Sequence, residues 1–99
     1  MCYAGDHHVY IHNKIFVGTY TCVQATTDNS SLYHAITEPC AFAHKGYSLT
    51  IPDKVQTYWL AFEVYASLEN VKWRGPFQND GDKCWHFHGS VDDWNIDEC

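Results

Sequence analysis

Ninety-nine residues, 45% hydrophobic, 16% aromatic and 18% charged, make a single domain, 1-99, near the lower size at which one hydrophobic core suffices. Twelve acidic against six basic residues give a formal charge of −6, and the cations Lys14, Lys45, Lys54, Lys72, Arg74 and Lys83 are scattered. That excludes the basic stripe of a tight nucleic-acid binder, and no apolar run approaches the roughly 20 residues of a membrane-spanning helix.

In chain order, His7 to Tyr20 alternates apolar and polar residues with an interruption at Asn13-Lys14, so HHVYIH and IFVGTYTC are predicted to form an N-terminal β-hairpin. The polar stretch VQATTDNSS follows, with Asn29-Ser30-Ser31 an acceptor pattern for N-glycosylation at Asn29. In SLYHAITE, Leu32, Ala35 and Ile36 fall at helical spacing, Asp28 to Ser31 offer N-caps and Pro39 stops the run. One short helix is predicted there.

CAFAHKGYSLTI reads as strand or irregular chain, and Ile51-Pro52-Asp53-Lys54 as a turn. VQTYWLAFEVYASL, the most apolar stretch and rich in β-formers, is the predicted central strand. VKWRGPFQ and KCWHFHG flank Asn79-Asp80-Gly81-Asp82, whose Asp-Gly step predicts a second hairpin, and VDDWNIDEC reads as a loop with a closing strand. The expected class is α+β: a hairpin, then one helix packed on a central antiparallel sheet.

Five cysteines without a CxxC pair point to disulfides and an oxidising compartment, hence to a secreted protein. The odd count leaves at least one thiol free or joined to another chain. No signal-peptide pattern is present, and Met1 directly before Cys2 fits an initiator added after a signal was removed.

Three chemistries are open to these side chains. Cys84, His86 and His88 share one strand face, but same-face neighbours lie about 6.5–7 Å apart. Adjacent pairs can chelate; all three cannot, and a further ligand must come from His7, His8 or His12. Sheet-facing histidines beside a disulfide cysteine are the simpler account, so neither a metal nor another cofactor is expected. Nucleophilic catalysis lacks a GxSxG elbow and a free activated cysteine. General acid–base cleavage of a phosphodiester needs a base, an acid and a cation. His44, His88, Arg74 and a carboxylate such as Glu63 supply those types.

Five short motifs stand in order along the chain: Tyr20-Thr21-Cys22, Phe42-Ala43-His44-Lys45, Arg74-Gly75-Pro76-Phe77, His88-Gly89 and the closing Glu98-Cys99, with SLYHAITE after the first. In that order they resemble the small guanyl-preferring fungal ribonucleases and the ribonuclease-like secreted effectors of plant-pathogenic fungi, notably powdery mildews. The first and last match the family's first and last cysteines, and SLYHAITE takes the place of its helix. Phe42-Ala43-His44-Lys45 resembles the segment carrying a catalytic histidine, Arg74-Gly75-Pro76-Phe77 the one carrying a catalytic arginine, and His88-Gly89 the general acid. The resemblance covers Tyr20 to Cys99. Where the family has its glutamate base, the best register places Trp59, with Glu63 four residues on, and the loop before the arginine is shortened to ASLENVKW.

The resemblance implies a disulfide Cys22–Cys99, leaving Cys2, Cys40 and Cys84 to form at most one more. It implies a pseudo-ribonuclease in which His44, Arg74 and His88 are remnants and Trp59 blocks the base position. The expected role is that of a secreted, monomeric fungal effector, delivered into plant cells. It would bind a host protein, or RNA weakly, and be recognised by an immune receptor, with no membrane partner. The alternatives are an active guanyl-preferring ribonuclease, and a disulfide-stapled secreted toxin or antimicrobial protein of another β-rich fold.

Overall fold

The computed structural model describes residues 6–27, 35–42 and 44–99. Among them the ordered elements are all strands: β1 His7–Ile15, β2 Tyr20–Thr26, β3 Ala35–Thr37, β4 Cys40–Phe42, β5 Tyr47–Ile51, β6 Thr57–Val64, β7 Lys72–Gln78, β8 Lys83–Ser90 and β9 Asp93–Glu98. They form two sheets. The first runs β5-β1-β8-β9; the second runs β3-β2-β6-β7, with β4 also paired to β2. Every pairing is antiparallel except β1 with β8, which lie parallel in the middle of the first sheet with His12 opposite His86.

Period-two alternation decides what each sheet buries. From the first sheet come Val9, Ile11, Ile15, Leu49, Ile51, Trp85, Phe87, Trp94 and Ile96. The second contributes Val23, Ala25, Tyr58, Leu60, Phe62 and Val64 to the same cluster. Phe62 meets Trp85 and Phe87 across the gap, so the two sheets share one core as a β-sandwich. Tyr47 of β5 also crosses it, its hydroxyl 2.9 Å from Thr21 Oγ1 of β2.

This all-β architecture overturns the expected α+β class. The first half of the predicted helix, residues 31–34, and the cap candidates before it, with Asn29, lie outside the described residues, but Ala35–Thr37 is a strand on the edge of β2. Ile36 packs partly against the core there. Its β-branched side chain and that of Thr37 fit an edge strand better than a helix end.

Neither predicted hairpin forms. Asn13 does not turn the chain, because its side chain is buried and its Nδ2 donates to the carbonyl oxygens of Phe42 at 2.8 Å and Ala41 at 3.3 Å. With its Nδ2 engaged by β4, Asn13 leaves β1 to continue to Ile15, and the turn comes at Phe16–Thr19 around Gly18, carrying the chain into the other sheet. Asn79 behaves alike: its Nδ2 donates to Pro52 O and Val55 O, at 2.9 and 2.8 Å. That ties the segment after β7 to the β5–β6 connection, and β8 joins the opposite sheet instead of folding back on β7.

The disulfides are Cys22–Cys40 and Cys84–Cys99, not Cys22–Cys99. Val23 and Ala25 point inward, so Cys22 faces out of the second sheet, where Cys40 is its direct strand partner. Trp85 and Phe87 point inward, so Cys84 faces out of the first sheet beside Cys99, whose N–H donates to Cys84 O at 3.0 Å. Two cysteines on opposite outer faces of a sandwich about 10 Å thick cannot reach the Cα separation of under about 7 Å that a disulfide requires. Cys2 lies outside the described residues.

Gly89 and the tyrosines generate two predictions. Gly89 has φ +106°, and a Cβ there would meet the Asp93 carbonyl oxygen and stand 2.8 Å from Trp94 Cα, both backbone atoms. Gly89→Ala is therefore expected to cost about 3 kcal/mol in urea unfolding, against under about 0.5 kcal/mol for Gly81→Ala in open space. Burial holds the Tyr47 phenol well above its ordinary value despite the bond to Thr21, and raises Tyr58 to about 12 with help from Asp80 and Asp82. An unfolded tyrosine ionises near pH 10, so the stability tied to these neutral phenols is whole below about pH 10. It is lost as pH rises from there through about 12. In a phenolate absorbance titration followed with near-ultraviolet circular dichroism, both should ionise together with unfolding; ionisation of every tyrosine near pH 10 in an intact fold would contradict this.

Candidate functional site

At one end of the sandwich the chain crosses between sheets, and the connections there leave an open cleft of about 770 Å³. Phe16 and Val17 enter from the β1–β2 turn, Tyr20 and Phe42 from the paired ends of β2 and β4, Tyr65 from the end of β6, and Val91 from the β8–β9 turn. Among the described residues no Lys, Arg, Asp, Glu or His lines it.

Local pairing builds the walls. Phe16 N–H donates to Gly89 O at 2.8 Å, pinning the β1–β2 turn to β8, and Tyr65 N–H donates to Tyr20 O at 2.9 Å. Tyr20 then packs at a tilt against Phe42 with centroids 4.7 Å apart and meets Tyr65 edge-on at 6.4 Å. Phe16, Val17 and Tyr65 nonetheless keep 69% exposure and Phe42 61%. Large apolar groups this exposed, gathered in one concavity, are how a binding surface differs from scattered surface hydrophobes.

The sequence hid this site. Phe16-Val17 reads as the middle of the strand IFVGTYTC, and Phe42 and Tyr65 look like ordinary β-formers. The signal that was present is the Phe-Val-Gly run: an apolar pair directly before a glycine marks a turn whose side chains have no strand neighbour to cover them.

Of the residues singled out by the ribonuclease resemblance, Trp59 and His88 lie on opposite outer faces of the sandwich. His88 projects from the outer face of the first sheet, its Nε2 2.6 Å from Asp97 Oδ2. Trp59 lies on the outer face of the second sheet, because Tyr58 and Leu60 on either side are core residues. It packs over Gly75, where an added Cβ would stand 2.9 Å from Trp59 Cδ1. The core separates Trp59 from His88, so the tryptophan does not block a site shared with that histidine. Arg74, on β7, donates from Nη1 to its neighbour's carbonyl, Trp73 O, at 2.8 Å. His44 sits exposed in the turn after β4 at φ 65°, its N–H donating to Asn13 O. Glu63 is exposed on β6 opposite Cys22.

The expected alternation of Cys84, His86 and His88 does hold, and the parallel strand β1 adds His8 and His12 to the same outer face. The Cys84 and Cys99 sulfurs belong to a disulfide, which accords with an oxidising compartment. No protein-family model and no curated protein sequence matches the chain, so the ribonuclease resemblance rests on its short motifs alone.

Proposed function

We propose that this protein is a secreted, disulfide-stapled binding module without catalytic activity, which seats an apolar anchor of a partner protein in the cleft between Phe16, Phe42, Tyr65 and Val91. The carrying observation is the cleft itself: about 770 Å³, walled by exposed aromatic and aliphatic side chains, with no charged group among the described residues that line it. Interfaces draw most of their affinity from a few aromatic or aliphatic anchors buried in such pockets, and the loop end of a β-sandwich is a common place for one. Two disulfides in a small domain support secretion.

The setting we propose is the effector role expected from the sequence, now without the ribonuclease fold: a protein released by a fungal pathogen whose partner is a host plant protein or immune receptor. Among the described residues the cleft offers no cation to a phosphate, and the chain is acidic, which argues against RNA as the partner. Absence of catalysis is proposed because the histidine and the tryptophan of the supposed site face opposite sides of the molecule. A toxin or antimicrobial protein of another β-rich fold is the competing role, and the all-β, doubly stapled architecture suits it as a scaffold.

Cross-linking of the purified protein in host extracts, followed by reconstitution with each purified candidate, tests the reading. Phe42→Asp and Tyr65→Asp are expected to weaken the reconstituted complex by about thirtyfold or more, which corresponds to about 2 kcal/mol for an anchor contact, whereas Lys54→Ala leaves it unchanged. Binding indifferent to both cleft variants overturns the proposal. So does a lipid or other small apolar molecule that copurifies in the cleft at one per chain, or dinucleotide cleavage that disappears in His88→Ala.

A further inference from the structure

The outer face of the first sheet carries a second constellation that the cleft does not use. Parallel pairing of β1 with β8 places His12 opposite His86, with ring centroids 5.0 Å apart. Tyr10 is paired with Cys84, so His12 stands diagonally across from that cysteine on the same face. Cys99, just past β9, is held beside Cys84 by its N–H bond to the Cys84 carbonyl. One ligand atom from each of His12, Cys84 and Cys99 consequently lies within 4.8 Å of the other two.

A tetrahedral zinc ion holds sulfur at about 2.3 Å and nitrogen at about 2.0–2.1 Å, so its ligand atoms stand about 3.3–3.8 Å from one another. Once the disulfide is cut, its two sulfurs have to open to that spacing while the His12 nitrogen closes on them from within 4.8 Å. The second imidazole, His86, lies two residues from Cys84 on the same face and beside His12. Two thiolates and two imidazoles are the donor set of a closed structural zinc site, and soft sulfur ligands select zinc over magnesium or calcium. His12 and Cys99 are exposed and Cys84 half-buried, so both an ion and a reductant can reach them.

We propose that the Cys84–Cys99 disulfide masks a zinc site: in a thiol-reducing environment the two cysteines, with His12 and His86, bind one Zn2+. The change balances with a small thiol as reductant. Two such thiols supply two electrons to break the sulfur–sulfur bond and leave joined as their own disulfide. Zinc takes the two protein thiolates, and the two protons of the reductant go to solvent. The second disulfide does not share this property, since among the described residues Cys22 and Cys40 have no third potential ligand gathered around them. Zinc thus replaces a covalent cross-link with a coordinate one at the same place when the protein moves from an oxidising to a reducing compartment.

Cobalt substitution tests this on the full chain carrying Cys2→Ser, reduced with a phosphine under argon. The expected result is one Co2+ per chain with intense tetrahedral bands and a thiolate-to-cobalt charge-transfer band, displaced by Zn2+. Cys84→Ser should abolish the charge-transfer band, and His12→Ala and His86→Ala should each weaken affinity about tenfold or more, whereas the Cys22→Ser/Cys40→Ser double variant keeps the site. Zinc should raise the unfolding temperature, or restore strand circular dichroism, of the reduced protein alone. The proposal is overturned by a six-coordinate spectrum without charge transfer, by binding that survives Cys84→Ser, or by histidine variants of unchanged affinity. Oxidised protein that binds zinc as tightly as reduced protein overturns it equally.

Discussion

Phe62 of the second sheet packs against both Trp85 and Phe87 of the first, with centroids 5.3 and 5.6 Å apart, and Phe87 in turn meets Trp94 at 5.6 Å. Aromatic pairs of this kind add about 0.5–1.5 kcal/mol each beyond the area they bury. Their larger effect is on phase. A strand slipped by one residue turns every side chain to the other face, so a core that accepts Trp85 and Phe87 necessarily sends Cys84, His86 and His88 outward. The same constraint on β6 puts Trp59 and Glu63 on the far outer face. The histidine surface, the positions of both disulfides and the separation of Trp59 and Glu63 from His88 all follow from it.

Most strands were legible. VQTYWLAFEVYASL contains β6, KCWHFHG gives most of β8, and the tail VDDWNIDEC holds β9, because alternation and β-branched or aromatic content are local properties. Connectivity was not, since both turn signals were read as local when their asparagines are engaged at a distance. Asn13 bonds to the carbonyls of β4 and Asn79 to the β5–β6 connection. An asparagine next to a lysine or an aspartate is a turn residue by propensity, but Asn13 is buried within β1 with its Nδ2 given to two carbonyls, and Asn79 bends the chain toward the other sheet, not back onto β7. The disulfide pairing failed for a related reason. It came from a resemblance in motif spacing, and spacing is blind to which side of a sandwich a cysteine faces.

The candidate site was less legible than the fold. Its residues come from four separate connections, and none carries a charge or a catalytic group that draws the eye in sequence. The histidines that did draw it serve a surface whose geometry depends on the parallel β1–β8 pairing, a contact that no local pattern specifies.

That parallel pairing also governs the order in which the molecule can be assembled. β2, β3, β4, β6 and β7 pair with one another within a continuous stretch of chain, interrupted only by β5, so the second sheet can form as the chain emerges. β1 precedes all of them, yet its parallel neighbour, β8, follows them all. Until β8 is made, Val9, Ile11 and Ile15 have only the edge of β5 to share, and a long loop spanning the whole second sheet must be closed before the first sheet exists. A nascent chain therefore carries an apolar strand, paired on one side at most, until β8 emerges, which makes β1 the strand most in need of protection from wrong partners.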